Sequence, residues 1–355
     1  MDLNREQVID IFEEISSEEE DRDTDNASYR LVTYGADYTL KGLIDKIKDK
    51  EIVIPLFQRK YVWPPKMASS LVESFLLGLP VPQIFLYKEE ETQDLLVVDG
   101  QQRLKTILFF YEGAFPDQSE FYLRNVKSQW LGKKYVDLTE PDKKRFRDSV
   151  LRTTIFEQLD PKDNSSIFEV FKRLNTGGLS LTDQEIRNCI IRGNINNFLE
   201  SLNGHKSWRY LYGKPDADPR MRDTELILRF FALYENGNDY HKPMKEFLTT
   251  FMRSKKMISL EEQGYYSKLF NNTMDFVYDK LGSSAFKLKA GLNAAAFDAI
   301  SVALAKLDQD KITDVREKYN ALKAKQSFLD SVSVHTTDGD QVDQRIRLAI
   351  ETFSQ

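Results

Sequence analysis

Residues 95–108 read L-L-V-V-D-G-Q-Q-R-L-K-T-I-L, an apolar run, a short polar turn and a resumed apolar period. The apolar run predicts a strand ending at Asp99-Gly100. Leu104, Ile107, Leu108 and Tyr111 predict an amphipathic helix directly behind it. A strand that turns within two residues into a helix aims free backbone N–H groups and the positive end of the helix dipole beyond the strand's C-terminal edge. In outline this is an anion site. Gly100 permits close backbone approach, Gln101 and Gln102 offer neutral hydrogen bonds, and Arg103 offers a planar fork suited to phosphate. Asp99 suits a divalent cation or an oriented water. The plainer reading is that Asp99 caps the helix and Gly100 makes the turn, but a cap does not require two glutamines and an arginine in a row.

Working outward, P-Q-I-F-L-Y-K at 82–88 predicts a preceding strand across the charged hairpin K-E-E-E-T-Q-D. Leu40, Leu43, Ile44 and Ile47 are spaced for a helix, and Ile52 to Phe57 looks extended. W-P-P at 63–65 places a proline where a helix can begin, with Leu71, Val72, Phe75 and Leu76 as its apolar face and Gly78 as its left-handed stop. Downstream, Ile167, Val170, Phe171 and Leu174 predict a helix broken by N-T-G-G at 175–178. Thr182 and Glu185 form a capping box that opens the next one. Beyond about residue 195 nearly every segment has a helical period, M-R-D-T-E-L-I-L-R-F-F-A-L-Y at 221–234 among them. Residues 1–34 read as an amphipathic helix, with Val8, Ile11, Phe12 and Ile15 on one face, followed by an acidic linker. The expected class is α+β, with a mixed domain over 35–190 and a mainly α-helical domain over 191–355.

Two further segments offer chemistry. In I-P-L-F-Q-R-K-Y-V-W-P at 54–64, Gln58, Arg59 and Lys60 lie between Phe57, Tyr61 and Trp63. That mixture suits base stacking and phosphate clamping, and core aromatics show the same pattern, so both readings stand. In F-K-R-L-N-T-G-G at 171–178, Arg173, Asn175, Gly177 and Gly178 suit donation to an anion, or an ordinary turn between helices. Residues 124–152 hold nine bases and four acids, and Lys143, Lys144, Arg145 and Arg147 suit either a phosphate-tracking surface or a solvated helix face.

Composition bounds the function. The 355-residue chain is net −6, but residues 1–26 carry eleven acids and two bases, which leaves the rest net +3. An acidic average therefore does not exclude a phosphate-bearing partner. One cysteine, Cys189, and three scattered histidines, His205, His241 and His335, exclude an internal disulfide framework and argue against a structural zinc site. The chain has no G-x-S-x-G, no G-x-x-x-x-G-K-[ST] and no H-E-x-x-H, which disfavours serine hydrolases, P-loop NTPases and zincins. The N-terminus lacks a basic-then-apolar leader, and no apolar run approaches the roughly 18 residues of a membrane span. A cytoplasmic protein that meets no membrane is expected.

Taken in order, I-P-L-F-Q-R-K-Y-V-W at 54–63, P-V-P at 80–82, V-V-D-G-Q-Q-R-L at 97–104 and V-F-K-R-L-N-T-G-G-L-S-L-T at 170–182, then Glu185 and Arg187-Asn188, form one pattern. It resembles the N-terminal domain of the GmrSD-type, modification-dependent (type IV) restriction endonucleases over roughly residues 35–190. R-M-R-D-T-E-L-I-L-R-F at 220–230 looks like the usual continuation. The resemblance implies a ParB/sulfiredoxin-like α+β fold whose D-G-Q-Q-R segment binds and hydrolyses a nucleoside triphosphate, with Mg²⁺ or another divalent cation as the expected cofactor. It also implies a role in phage defence, acting on DNA with modified bases or a modified backbone and coupling nucleotide turnover to nicking or cleavage. Carried onto this chain, Asp99, Gln102 and Arg103 become the catalytic candidates, with Asp99 also the metal candidate. Gln58, Arg59, Gly100, Gln101, Asn175, Gly177 and Gly178 become the nucleotide-binding candidates. Lys60, Tyr61, Trp63, Lys143, Lys144, Arg145 and Arg147 are the candidate DNA contacts. One departure matters: no His-Asn-His nuclease motif surrounds any of the three histidines. A partner nuclease, cleavage by the ParB-like domain itself, and a non-catalytic nucleotide or DNA sensor that recruits a nuclease all remain open.

Overall fold

The computed structural model describes residues 30–54, 61–90, 92–160, 166–174, 181–288 and 291–355. The candidates Gln58, Arg59, Lys60, Asn175, Gly177 and Gly178 and the N-terminal helix and acidic run lie outside them. The chain divides into two compact units, one covering Ala27–Leu181 and the other containing Thr182–Gln355.

The first unit is mixed α and β. Its elements are β1 (Arg30–Thr39), α1 (Leu40–Lys48), β2 (Ile52–Val53), α2 (Pro65–Leu77), β3 (Ile84–Lys88), β4 (Leu95–Asp99), α3 (Gln101–Glu112), α4 (Glu140–Asp148), β5 (Val150–Asp160) and α5 (Ser166–Leu174). The strands form one sheet in the order β1-β5-β3-β4-β2. β1 runs antiparallel to β5 along its whole length, β5 parallel to β3, β3 antiparallel to β4, and β4 parallel to β2. These directions bring the start of β3, the start of β5 and the end of β4 to the same end of the sheet. Asp99-Gly100 is therefore at a rim built by three strands.

The local signals explain most of these elements. Thr39 caps α1 by accepting the Gly42 N–H at 3.1 Å. Pro65 is the first residue of α2, and Gly78 ends it at φ 72°. Helices α1 to α4 cover one face of the sheet. There Leu43, Ile44, Val72, Phe75, Leu104, Ile107, Phe110 and Phe146 pack against Ile84, Leu86, Val97 and Leu151 in one core. Phe110 meets the rings of Phe121 and Phe146 edge-on at 5.3 Å in both cases. The other face carries Tyr87, Leu96, Val98 and Phe156, all buried, and α5 packs against β4.

Two strands are additions to the sequence reading. β5 alternates exposed and buried residues over much of its length, yet it stands directly behind the basic run and is masked by that charge. β1 is an edge strand whose residues are mostly exposed, so no apolar run marks it. It begins at Arg30, inside the stretch read as linker.

The second unit is helical: α6 (Asp183–Ile190), α7 (Asn194–Asn203), α8 (Lys206–Tyr212), α9 (Arg222–Asn236), α10 (Met244–Ser254), α11 (Leu260–Leu281), α12 (Ala294–Lys306), α13 (Val315–Ala324), α14 (Gln326–Ser331) and α15 (Gly339–Ser354). The capping box read from Thr182 and Glu185 is formed with both of its hydrogen bonds, and the helix it opens clusters with this unit rather than the first. Deep in the core, Arg229 from α9 and Arg345 from α15 converge on Asp298 of α12 at 2.7 and 2.8 Å. Among the described residues, no helix is long and apolar enough to cross a membrane.

Candidate active site

The strand-to-helix turn is built as its sequence implies, with one difference. Asp99 does not cap α3. Gly100 holds the N-cap position at φ 98° and has no side chain with which to cap the helix. The first helical hydrogen bond runs from the Leu104 N–H to the Gly100 carbonyl at 3.0 Å, so the N-terminal turn presents its backbone donors toward the rim of the sheet.

Glycine is required at position 100 twice over. The left-handed φ disfavours any L side chain, and a Cβ there would stand 2.2 Å from Ile84 Cγ2 and 2.8 Å from Ile84 Cβ. Gly100→Ala is expected to lose about 2–4 kcal/mol of stability from the combined backbone and overpacking strain. The urea unfolding midpoint checks this, and a loss under about 0.5 kcal/mol would show that the turn relaxes freely.

Arg103 is mostly buried, and two of its guanidinium nitrogens reach three protein acceptors. Nη2 donates to Asp99 Oδ2 at 3.0 Å, and Nη1 donates to the Pro82 carbonyl at 3.1 Å and the Gln83 carbonyl at 2.5 Å. The fork that the sequence offers to phosphate is thus engaged in fastening residues 82–83 to the D-G-Q-Q-R turn. Gln102 is engaged as well. Its Oε1 accepts from the Val62 N–H at 3.1 Å, and its carbonyl accepts from the Thr106 hydroxyl at 2.7 Å. The Tyr61 hydroxyl lies 2.8 Å from Thr106 Oγ1, and burial raises the Tyr61 pKa above the usual phenol value. Gln101 is buried under the turn.

Described residues next to the other two motifs meet α3 and β4. Tyr61 and Val62, which follow Q-R-K directly, are bonded to α3, and α5, which leads into N-T-G-G, packs on the strand that ends at Asp99. The Tyr61 ring meets Phe109 edge-on at 5.2 Å and lies tilted against Phe115 at 5.8 Å. Trp63 also packs on the main core, so the core reading describes both aromatics.

The basic residues of α4 do not share a face. Lys143 pairs with Glu140 at 3.2 Å, Arg145 donates to the Leu76 carbonyl at 3.1 Å, and Lys144 is exposed. Lys143 and Arg147 are one turn apart, while Lys144 and Arg145 are rotated about 100° and 200° away from Lys143 around the helix.

Three residues near the turn escaped the sequence reading. Lys105 stands one turn beyond Gln101, half-buried, and desolvation lowers its pKa from the ordinary lysine value. No described residue pairs with it. Gln83 and Thr154 meet through a hydrogen bond from the Thr154 hydroxyl to Gln83 Oε1 at 3.1 Å. A lysine inside the motif and a glutamine after P-V-P were visible in the sequence, but the pairing with Thr154 comes from the sheet. Among the described residues, no group of three or more His, Cys, Asp or Glu side chains is arranged to hold a metal ion. Asp99 is the carboxylate at the turn, and its Oδ2 is held by Arg103.

This corner lies inside a stretch with a known family pattern. Residues 40–192 match the family model of the GmrSD restriction endonuclease, N-terminal domain. The resemblance seen in the motifs holds over that stretch, and the GmrSD N-terminal domain match takes in α1 through α6 together with all three motifs. It stops before the remaining helices of the second unit. No curated protein matches the chain.

Proposed function

We propose that the chain is a component of a phage-defence, modification-dependent restriction system. In this reading its first unit is a ParB/sulfiredoxin-like domain that binds and hydrolyses a nucleoside triphosphate at Asp99–Arg103 and couples turnover to DNA. The observation that carries it is the D-G-Q-Q-R strand-to-helix turn, with Tyr61 and Val62 bonded to α3 and α5 packed on β4, inside a stretch that matches the GmrSD N-terminal domain. The N-terminus of α3 supplies backbone donors for phosphate, and Gly100 gives the left-handed turn from strand to helix. Lys105 supplies a partly desolvated ammonium one turn away, where a positive charge acts strongly on a polyphosphate. Asp99 is the group suited to Mg²⁺ or to an oriented water, with Gln102 placed by Val62. In this scheme Arg103 acts by holding Asp99 and the 82–83 backbone, and the transferring phosphoryl group is stabilised by the turn.

The test is phosphate release from ATP, GTP, CTP and UTP with Mg²⁺, with and without plain and modified DNA. The expected result is turnover of at least one nucleotide that modified DNA stimulates. Nucleotide binding with no hydrolysis of any of the four would replace this reading with a sensor that recruits a separate nuclease, which the missing His-Asn-His motif also accommodates.

A further inference from the structure

The second face of the sheet carries a feature that the corner chemistry does not use. Phe85 on β3, Thr154 on β5 and Gly35 on β1 are register partners across three neighbouring strands, so they stand in one row on one face. Phe85 and Thr154 are half-buried and Gly35 is exposed. A Cβ built on Gly35 meets nothing within 4 Å. The row is thus an aromatic ring, a hydroxyl and a gap with no side chain, next to the end of the sheet where β4 turns into α3.

Gln83 closes the row at that end. Its backbone carbonyl is held by Arg103 at 2.5 Å, and its side-chain Oε1 is held by the Thr154 hydroxyl at 3.1 Å. The next residue, Ile84, lies against Gly100, so Gln83 is joined to the turn through its backbone and to β5 through its side chain. With Oε1 occupied, the Nε2 hydrogens remain as an oriented pair of donors on an exposed residue. An aromatic surface beside an oriented amide is the combination that stacks a heterocyclic base and reads its edge.

We propose that this row binds the nucleobase of the nucleotide whose phosphates the 99–103 turn takes, with Phe85 as the stacking surface and Gln83 as the residue that selects the base. The proposal rests on the nucleotide reading of that turn. Thr154 and Arg103 are then positioning residues for Gln83, one acting on the amide and the other on the backbone.

Equilibrium binding of ATP, GTP, CTP, UTP and inorganic tripolyphosphate to the full chain with Mg²⁺ tests it, with thermal unfolding as the check on folding. Gly35→Val fills the gap with a residue that suits a strand. It is expected to weaken the best-bound nucleotide about tenfold and to leave tripolyphosphate unchanged. Gln83→Ala is expected to shrink the ratio between the best- and worst-bound nucleotides about three- to tenfold. Thr154→Val should shrink that ratio in the same direction and add nothing in the Gln83→Ala background. Equal weakening of nucleotide and tripolyphosphate, an unchanged ratio, or no nucleotide binding by the wild type would each overturn the base site. Nucleotide binding that responds to Gly35→Val without hydrolysis would retire the turnover reading and keep this one.

Discussion

Arg103→Ala is expected to lower nucleoside triphosphate turnover about a hundredfold in protein that remains folded. The guanidinium holds Asp99 Oδ2 and the carbonyls of Pro82 and Gln83 together. Without it, the carboxylate at the turn loses its orientation and residues 82–83 lose their attachment to α3. Misplacement of reacting groups by about an ångström is enough for a loss of this size. Arg103→Lys should recover only part of the rate, because a compact ammonium lacks the planar fork whose two terminal nitrogens meet the carboxylate and the two carbonyls together. Turnover per folded molecule, measured beside a thermal melt, checks the result. A folded Arg103→Ala protein within about threefold of the wild-type rate would remove Arg103 from the site.

The second large effect belongs to the helical unit and concerns stability. Asp298 lies wholly inside the core, where Arg229 donates to it from Nε at 3.2 Å and from Nη2 at 2.7 Å, and Arg345 donates from Nη2 at 2.8 Å. Arg345 also donates to the Thr336 carbonyl. Asp298→Ala would leave two buried guanidinium groups without the carboxylate they share, and breaking a buried ion pair from one side costs about 3–5 kcal/mol. Whole domains are stable by only about 5–15 kcal/mol, so this one change should bring the unit close to unfolding. Chemical denaturation of Asp298→Ala against the wild type reads the loss. A change under about 1 kcal/mol would mean that the arginines find water or other acceptors once the carboxylate is gone.

The same triad shows where sequence reading stops. Arg229 and Arg345 look like ordinary helix residues, and their partner is 69 residues away from one and 47 from the other. Helical period assigns α9, α12 and α15 as helices, but it does not say that two cations and one anion meet in the core. In the first unit β1 was invisible for a related reason. An edge strand paired on one side and exposed along most of its length needs no apolar alternation.

Local chemistry determined a great deal. The strand ending at Asp99, the helix starting at Gln101, the left-handed turn at Gly100, the stop at Gly78 and the capping box at Thr182 are all contained in short stretches. Each follows from backbone sterics or from a bond between residues close in the chain. The ordered motifs also led to the family that residues 40–192 match. Only the tertiary structure decided what the side chains of those motifs touch. It turned Arg103 toward the Pro82 and Gln83 carbonyls, took Tyr61 into the core, brought Thr154 to Gln83, and left Gly35 facing open space. These contacts join residues up to 71 positions apart. They depend on strand order and register, which arise from how the whole sheet buries its faces rather than from any one segment.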